Sequence, residues 1–187
     1  MTYKLIIFDF DGIIVKPNSF GRKIINILGV DYPAEGLLAY FITFTKLLPC
    51  VRRIFEPCAF SSVTEKLSKY IPNKKVVNFI KCTNGYKMAI FSINTKQCIE
   101  EHLERRGILK KFDDFIVSSE DVGVGKLKPN PEGLKKILKI TKVRPHEAIY
   151  LGSGHIDSMT AKNAQIKFVS SLNDLEQVLQ EDYSFDV

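Results

Sequence analysis

The sequence predicts an α/β protein, a parallel sheet covered by helices on both faces with a small helical insertion. Three observations carry this. From residue 86 onward, short apolar runs alternate with amphipathic stretches, which is the signature of successive crossover units in a parallel sheet. KLIIF, residues 4–8, is a brief apolar run bounded by charge, as in a strand buried on both faces. Between them, residues 17–79 hold helical patterns and no good strand, so they form a cap inserted into the sheet domain. The expected division is a core of residues 1–16 and 80–187 and a cap of residues 17–79.

The elements follow in order. FGRKIINIL (20–28) reads as a helix stopped by Gly29. Pro33 opens a second helix through LLAYFITFTKLL, and Pro49 ends it. Residues 51–71 continue helically with a break at Pro57, and KKVVNFIKCTN is a further helix after the Pro72-Asn73 turn. YKMAIFS (86–92) is the second strand, and TKQCIEEHLERRG (95–107) is a helix ending at Gly107. FIVSS (115–119) is a third strand, and PEGLKKILKI (131–140) a helix with Pro131 near its first turn. AIYLG (148–152) and IKFVS (166–170) are the fourth and fifth strands, separated by the helix SMTAKNA (158–164). SLNDLEQVLQ closes the chain as a helix.

Composition narrows the function. The chain has 187 residues, 45% of them apolar, enough for one ordinary globular core. Net charge is +6, but the basic residues are scattered and form no stripe with aromatic platforms, so no nucleic-acid partner is expected. The excess reads as solvated surface with a mild bias toward small anions. Four cysteines, Cys50, Cys58, Cys82 and Cys98, form no CxxC pair and no zinc spacing, and are expected reduced. LLAYFITFTKLL is broken by Lys46 and too short to span a bilayer, so the expectation is a cytoplasmic protein with no membrane partner, monomer or homodimer.

In parallel sheets of this kind, chemistry sits beyond the carboxyl ends of the strands. Those ends carry Asp9 and Asp11 after the first strand, Ser92 and Asn94 after the second, Lys126 and Lys128 after the third, and Ser153 and Asp157 after the fourth. Two aspartates at i and i+2 on extended backbone point the same way. Side by side they need a cation to stay charged, and a hard ion such as magnesium prefers such oxygens. A lysine and a hydroxyl suit the oxygens of a phosphoryl group. Gly12 and Gly152 let backbone approach a ligand closely.

In these residues the sequence resembles the haloacid dehalogenase superfamily, on its phosphatase branch, close to phosphoglycolate phosphatase and beta-phosphoglucomutase-like members with a helical cap. DFDGIIV is similar to the first motif, FSINT to the second, KLKPNPEG to the third and LGSGHIDSMTAKNA to the fourth, in family order over residues 9–164. The resemblance implies a Rossmann-like three-layer α/β/α core and a magnesium-dependent phosphatase acting on a small phosphate ester. It implies Asp9 as nucleophile forming an aspartyl-phosphate, Asp11 as general acid and then base, and Lys128 pairing with nucleophile and phosphate. Ser92, the Asn94 backbone region and Gly12 would meet the phosphate. Asp9, the Asp11 carbonyl and Asp157 would hold Mg2+.

One departure matters. Ser153 stands where the fourth motif usually has an aspartate, which removes a formal charge beside the metal. A metal-free 2-haloacid dehalogenase also carries serine near here, but it lacks an acid at the Asp11 position. Asp11 is what a leaving alkoxide needs, and it favours the phosphatase reading. A third reading keeps the fold and binds a phosphorylated ligand without turnover. Ile13, where the family commonly has Thr or Val, is a smaller departure. His155 reads as a loop residue outside the catalytic set, and Arg52 and Arg53 as cap residues able to face a second anionic group.

Overall fold

The computed structural model describes residues 3–16, 71–112 and 115–184. Of the expected cap, residues 17–79, the stretch 17–70 lies outside the described residues, and with it Arg52, Arg53 and the aromatic segment around Tyr40, Phe41 and Phe44.

Five strands form one parallel sheet: β1 (Leu5–Phe8), β4 (Lys87–Phe91), β5 (Ile116–Val117), β6 (Ala148–Leu151) and β7 (Lys167–Val169). Their spatial order is β5-β4-β1-β6-β7, so β1 is central and the chain reverses direction across it. That reversal opens a crevice at the carboxyl ends of β1, β4 and β6.

The alternation within each strand builds the two outer layers. Ile6, Phe8, Met88, Ile90, Ile149 and Leu151 face one side. There they pack with Val76, Val77 and Ile80 of α1 (Lys74–Cys82), Ile99 and Leu103 of α2 (Lys96–Glu104), and Leu175 and Leu179 of α6 (Leu172–Ser184). Leu5, Ile7, Ala89, Phe91, Ala148 and Tyr150 face the other side. They meet Leu134, Ile137 and Leu138 of α4 (Glu132–Thr141) and Ala161 and Ala164 of α5 (His155–Ala164). Every residue of β1 and β6 is buried, which is why both read as unbroken apolar runs rather than alternating ones.

Three local outcomes differ from expectation. Val15–Lys16 (β2) and Ile71–Pro72 (β3) form a small antiparallel ribbon, with Val15 opposite Pro72 and Lys16 opposite Ile71. Helix α1 crosses the expected domain boundary at 79/80, and its apolar stripe is part of the sheet's own core. The second core segment therefore begins by residue 71. The third strand is shorter than FIVSS, because Ser118 and Asp121 close a capping box that starts the one-turn helix α3 (Ser119–Val122).

Candidate active site

The first loop begins where β1 stops. The Asp9 amide still continues the sheet, donating to the Leu151 carbonyl at 2.8 Å. The chain then turns: Ile14 and Val15 amides both donate to the Phe10 carbonyl, at 3.0 and 3.1 Å, and the Gly12 amide donates to the Val15 carbonyl at 2.7 Å. Gly12 has φ +81°, a left-handed conformation that favours glycine. Its N–H is therefore engaged in the turn, a different task from the ligand contact expected of it. Asp11 forms a β-bridge with Val15 inside this turn. Asp9 and Asp11 are both buried.

A single cation organises the floor of the crevice. Lys128 Nζ lies 2.8 Å from Asp9 Oδ1 and 2.8 Å from Asp157 Oδ1, with its side chain 6% exposed. It also sits over the rings of Phe91 and Tyr150, 5.0 and 5.4 Å from their centroids. Phe91 and Tyr150 are the last core-facing residues of β4 and β6 on that side, so the sheet itself supplies the platform. Gly133 makes room for it: a Cβ there would lie 2.1 Å from the Phe91 ring. Lys126, the other lysine of this loop, is exposed.

Asp157 is in the first turn of α5, which begins three residues earlier than the SMTAKNA stretch suggested. Its Oδ2 accepts from the Ser153 amide at 3.0 Å and the Gly154 amide at 3.4 Å, and its Oδ1 from the Tyr150 hydroxyl at 2.7 Å. It thus caps α5 and anchors Lys128 together. Gly152 is required beside it, since a Cβ would approach the Asp157 Cβ to 2.5 Å.

The second loop holds Asp11. Asn94 Nδ2 donates to Asp11 Oδ2 at 2.6 Å, and the Ser92 hydroxyl reaches the same oxygen at 3.3 Å. The Asn94 amide in turn donates to Ser92 Oγ at 3.0 Å. Asp11 Oδ1 is buried with no hydrogen-bond partner among the described residues.

Burial decides much of the electrostatics. It pushes the Asp11 carboxyl up to about 7, against Lys128 and the donors Ser92 and Asn94. Burial, then the Asp157 charge, hold Asp9 well above the usual carboxylate range in spite of Lys128. Burial also raises Asp157, but Lys128 and its other donors reverse this and leave it below the usual range. One lysine is shared by two carboxylates, and Asp157, which also accepts from the Tyr150 hydroxyl and the Ser153 amide, is the one held in the charged form. Burial works against Lys128, yet Asp157 and Asp9 raise its pKa and keep it charged. Tyr150 is pushed up by burial and by Asp157, so it stays a donor.

Comparison with known proteins gives this geometry a family. The profile of haloacid dehalogenase-like hydrolases matches residues 6–170. The chain belongs to the haloacid dehalogenase-like hydrolase family. Among curated relatives, Pyrophosphatase PpaX of Bacillus mycoides is 27% identical, over 91% of this chain and 84% of the relative. A Lactobacillus plantarum structure assigned as a phosphoglycolate phosphatase superposes with TM-score 0.58 at 18% identity, covering 97% of this chain and 92% of that one. The HAD-hydrolase YfnB of Bacillus subtilis, solved bound to magnesium, superposes with TM-score 0.61 at 13% identity, covering 96% and 100%.

Haloacid dehalogenase-like hydrolases generally use a divalent metal. The residues here fit a hard cation in part. Asp9 brings a carboxylate, and the Asp11 carbonyl lies 3.2 Å from the Ser153 hydroxyl, which donates to it. Among the described residues there is no cluster of three or more acidic, histidine or cysteine side chains set to hold a metal. Asp157, expected as a ligand, has both oxygens engaged by Lys128, Tyr150 and the Ser153 and Gly154 amides. Its observed task in this hydrolase is to orient Lys128.

Sequence reasoning brought Asp9, Asp11, Ser92, Asn94, Lys128 and Asp157 to one site, and the structure joins all six. It missed Tyr150 and Phe91, read only as strand residues. The one available signal was a hydroxyl inside the buried run AIYL, directly before the motif glycine. His155 is exposed at the start of α5, outside this network. No described helix is long and apolar enough to cross a membrane.

Proposed function

We propose that this hydrolase is a magnesium-dependent phosphatase acting on a small phosphorylated metabolite through an aspartyl-phosphate. The observation that supports it most is the Asp9–Lys128–Asp157 arrangement, a buried carboxylate next to a fixed cation at the end of a central strand. Lys128 and the Phe10 amide both contact Asp9 Oδ1, the latter at 2.9 Å, so Oδ2 is the oxygen assigned to attack on phosphorus. Lys128 then neutralises charge on nucleophile and phosphoryl oxygens alike. Ser92 and Asn94 hold the neighbouring Asp11.

Asp11 is assigned the proton. With burial raising its pKa to about 7, a good share of the molecules carry one at neutral pH for the departing oxygen, and in the second half-reaction it takes one back from water. Bound magnesium would be held by the Asp9 carboxylate and Asp11 carbonyl, with Ser153 close by, and would supply Lewis-acid stabilisation of phosphoryl charge. This protonated acid also separates the phosphatase reading from the dehalogenase one, because a halide leaves without a proton.

The relatives named pyrophosphatase add inorganic pyrophosphate to the substrates worth testing. The experiment is phosphate release from p-nitrophenyl phosphate, 2-phosphoglycolate and inorganic pyrophosphate, with and without magnesium. Asp9→Asn should abolish release and retain the fold. Release that persists in that variant refutes the nucleophile. Chloride release from a 2-haloacid in chelator would establish the dehalogenase instead, and ligand-induced stabilisation without turnover would establish a binding protein.

A further inference from the structure

The contacts on Asp11 are unequal, and the inequality has chemical content. Oδ2 takes two donors, Asn94 Nδ2 at 2.6 Å and Ser92 Oγ at 3.3 Å, while Oδ1, equally buried, takes none among the described residues. A carboxylate oxygen that already accepts two hydrogen bonds has little capacity left for a proton. Oδ1 is therefore the oxygen left with the capacity to receive or hand on a proton. Asn94 is itself fixed, because its amide donates to Ser92 Oγ at 3.0 Å and its carbonyl accepts from the Ser119 amide at 3.4 Å. Ser92 accepts that amide, so its hydroxyl hydrogen is free to turn toward Asp11.

We propose that Asn94 is a positioning residue for Asp11: by holding Oδ2, it reserves Oδ1 as the atom that hands a proton to the departing oxygen. This rests on the phosphatase reading. The step balances simply. The bond from Asp9 to phosphorus forms, the bond from phosphorus to the leaving oxygen breaks, and the Asp11 Oδ1 proton moves to that oxygen. In the second step, water loses a proton to Asp11 Oδ1 as its oxygen bonds phosphorus and the Asp9 bond breaks.

The role implies a substrate-dependent signature. An alkoxide leaving group depends heavily on the proton, whereas p-nitrophenolate departs well without one. General acid catalysis contributes roughly 10²–10⁴-fold where it operates, so losing the orientation forfeits part of that only for proton-demanding substrates. A residue that merely supports the loop, or only binds phosphate, would reduce all substrates alike.

The test is kcat/KM for Asn94→Ala on a series from p-nitrophenyl phosphate through phenyl phosphate to an alkyl phosphate such as glycerol phosphate, with Asp11→Asn and the double variant alongside. The loss on the alkyl ester should exceed the loss on the nitrophenyl ester by about tenfold or more, and the leaving-group dependence should steepen. Asp11→Asn should show the same pattern more strongly, and adding Asn94→Ala to it should cost little more on the alkyl ester. Asn94→Ser, which retains a donor, should recover part of the alkyl rate. Uniform loss across the series, no loss, or a gain on the alkyl ester overturns the role while leaving the phosphatase reading intact. Absence of turnover of every ester by the wild-type protein overturns both.

Discussion

The Tyr150 hydroxyl and the Lys128 ammonium meet on one oxygen, Asp157 Oδ1, at 2.7 and 2.8 Å. The aspartate between them also ties down the start of α5, so Lys128, sheet and helix share one anchor. Four predictions follow from this site's physics.

Lys128→Met leaves Asp9 and Asp157 buried without their cation. Removing one partner of a buried pair costs about 3–5 kcal/mol. Denaturant unfolding should show that loss, and turnover should vanish. The variant Asp9→Asn removes a repulsive neighbour of Asp157 instead, so it should lose turnover without losing stability. Equal destabilisation by both substitutions would contradict the charge arrangement described here.

The pH dependence of stability carries a sign. In the unfolded chain an aspartate ionises near 3.9. In the fold Asp11 holds its proton to about 7. Between these values the native state binds a proton that the unfolded state has released, so this group lowers stability as pH rises through the window. In metal-free protein, wild type should lose stability relative to Asp11→Asn from about pH 4 to 7, at no more than ~1.4 kcal/mol per pH unit. A flat or rising difference would rule out the raised carboxyl.

Gly133→Ala puts a methyl group where the Phe91 ring stands. The ring is wholly buried, so it has to shift, at a cost of about 1–3 kcal/mol. Because Lys128 rests over that ring, activity should fall as well. Thermal unfolding and turnover, measured together, check both halves.

Ser153→Asp restores a charge beside the Asp11 carbonyl. Magnesium affinity, read by calorimetry, should rise by at least ~10-fold. An unchanged affinity would mean that the ion is held away from this loop.

Much of the architecture was legible. The strands announced themselves as apolar runs because both faces of the sheet are covered, and the four strand-end clusters stood out because charge follows such runs abruptly. What escaped were features made by tertiary contact. The two-residue ribbon of Val15–Lys16 and Ile71–Pro72 is too short to leave a periodic trace. That α1 runs through residue 80 and packs on the sheet was not visible, because its stripe is equally amphipathic whether it faces a cap or a sheet. The early start of α5 was hidden because its cap is supplied by Asp157 reaching back from inside the helix. The turn at Gly12 was marked by the glycine, yet the partner of its amide depends on where Val15 returns. Tyr150 looked like any strand aromatic until Lys128 was placed above it.

The ribbon has a consequence for how such a chain diversifies. Residues 16 and 71 lie opposite each other in paired strands, so the two points of the chain that flank residues 17–70 are held side by side. Its ends are already brought together, and segments of different length or composition can be grafted there without disturbing the register of the sheet. What such an exchange has to keep is the pairing of Val15 with Pro72 and of Lys16 with Ile71.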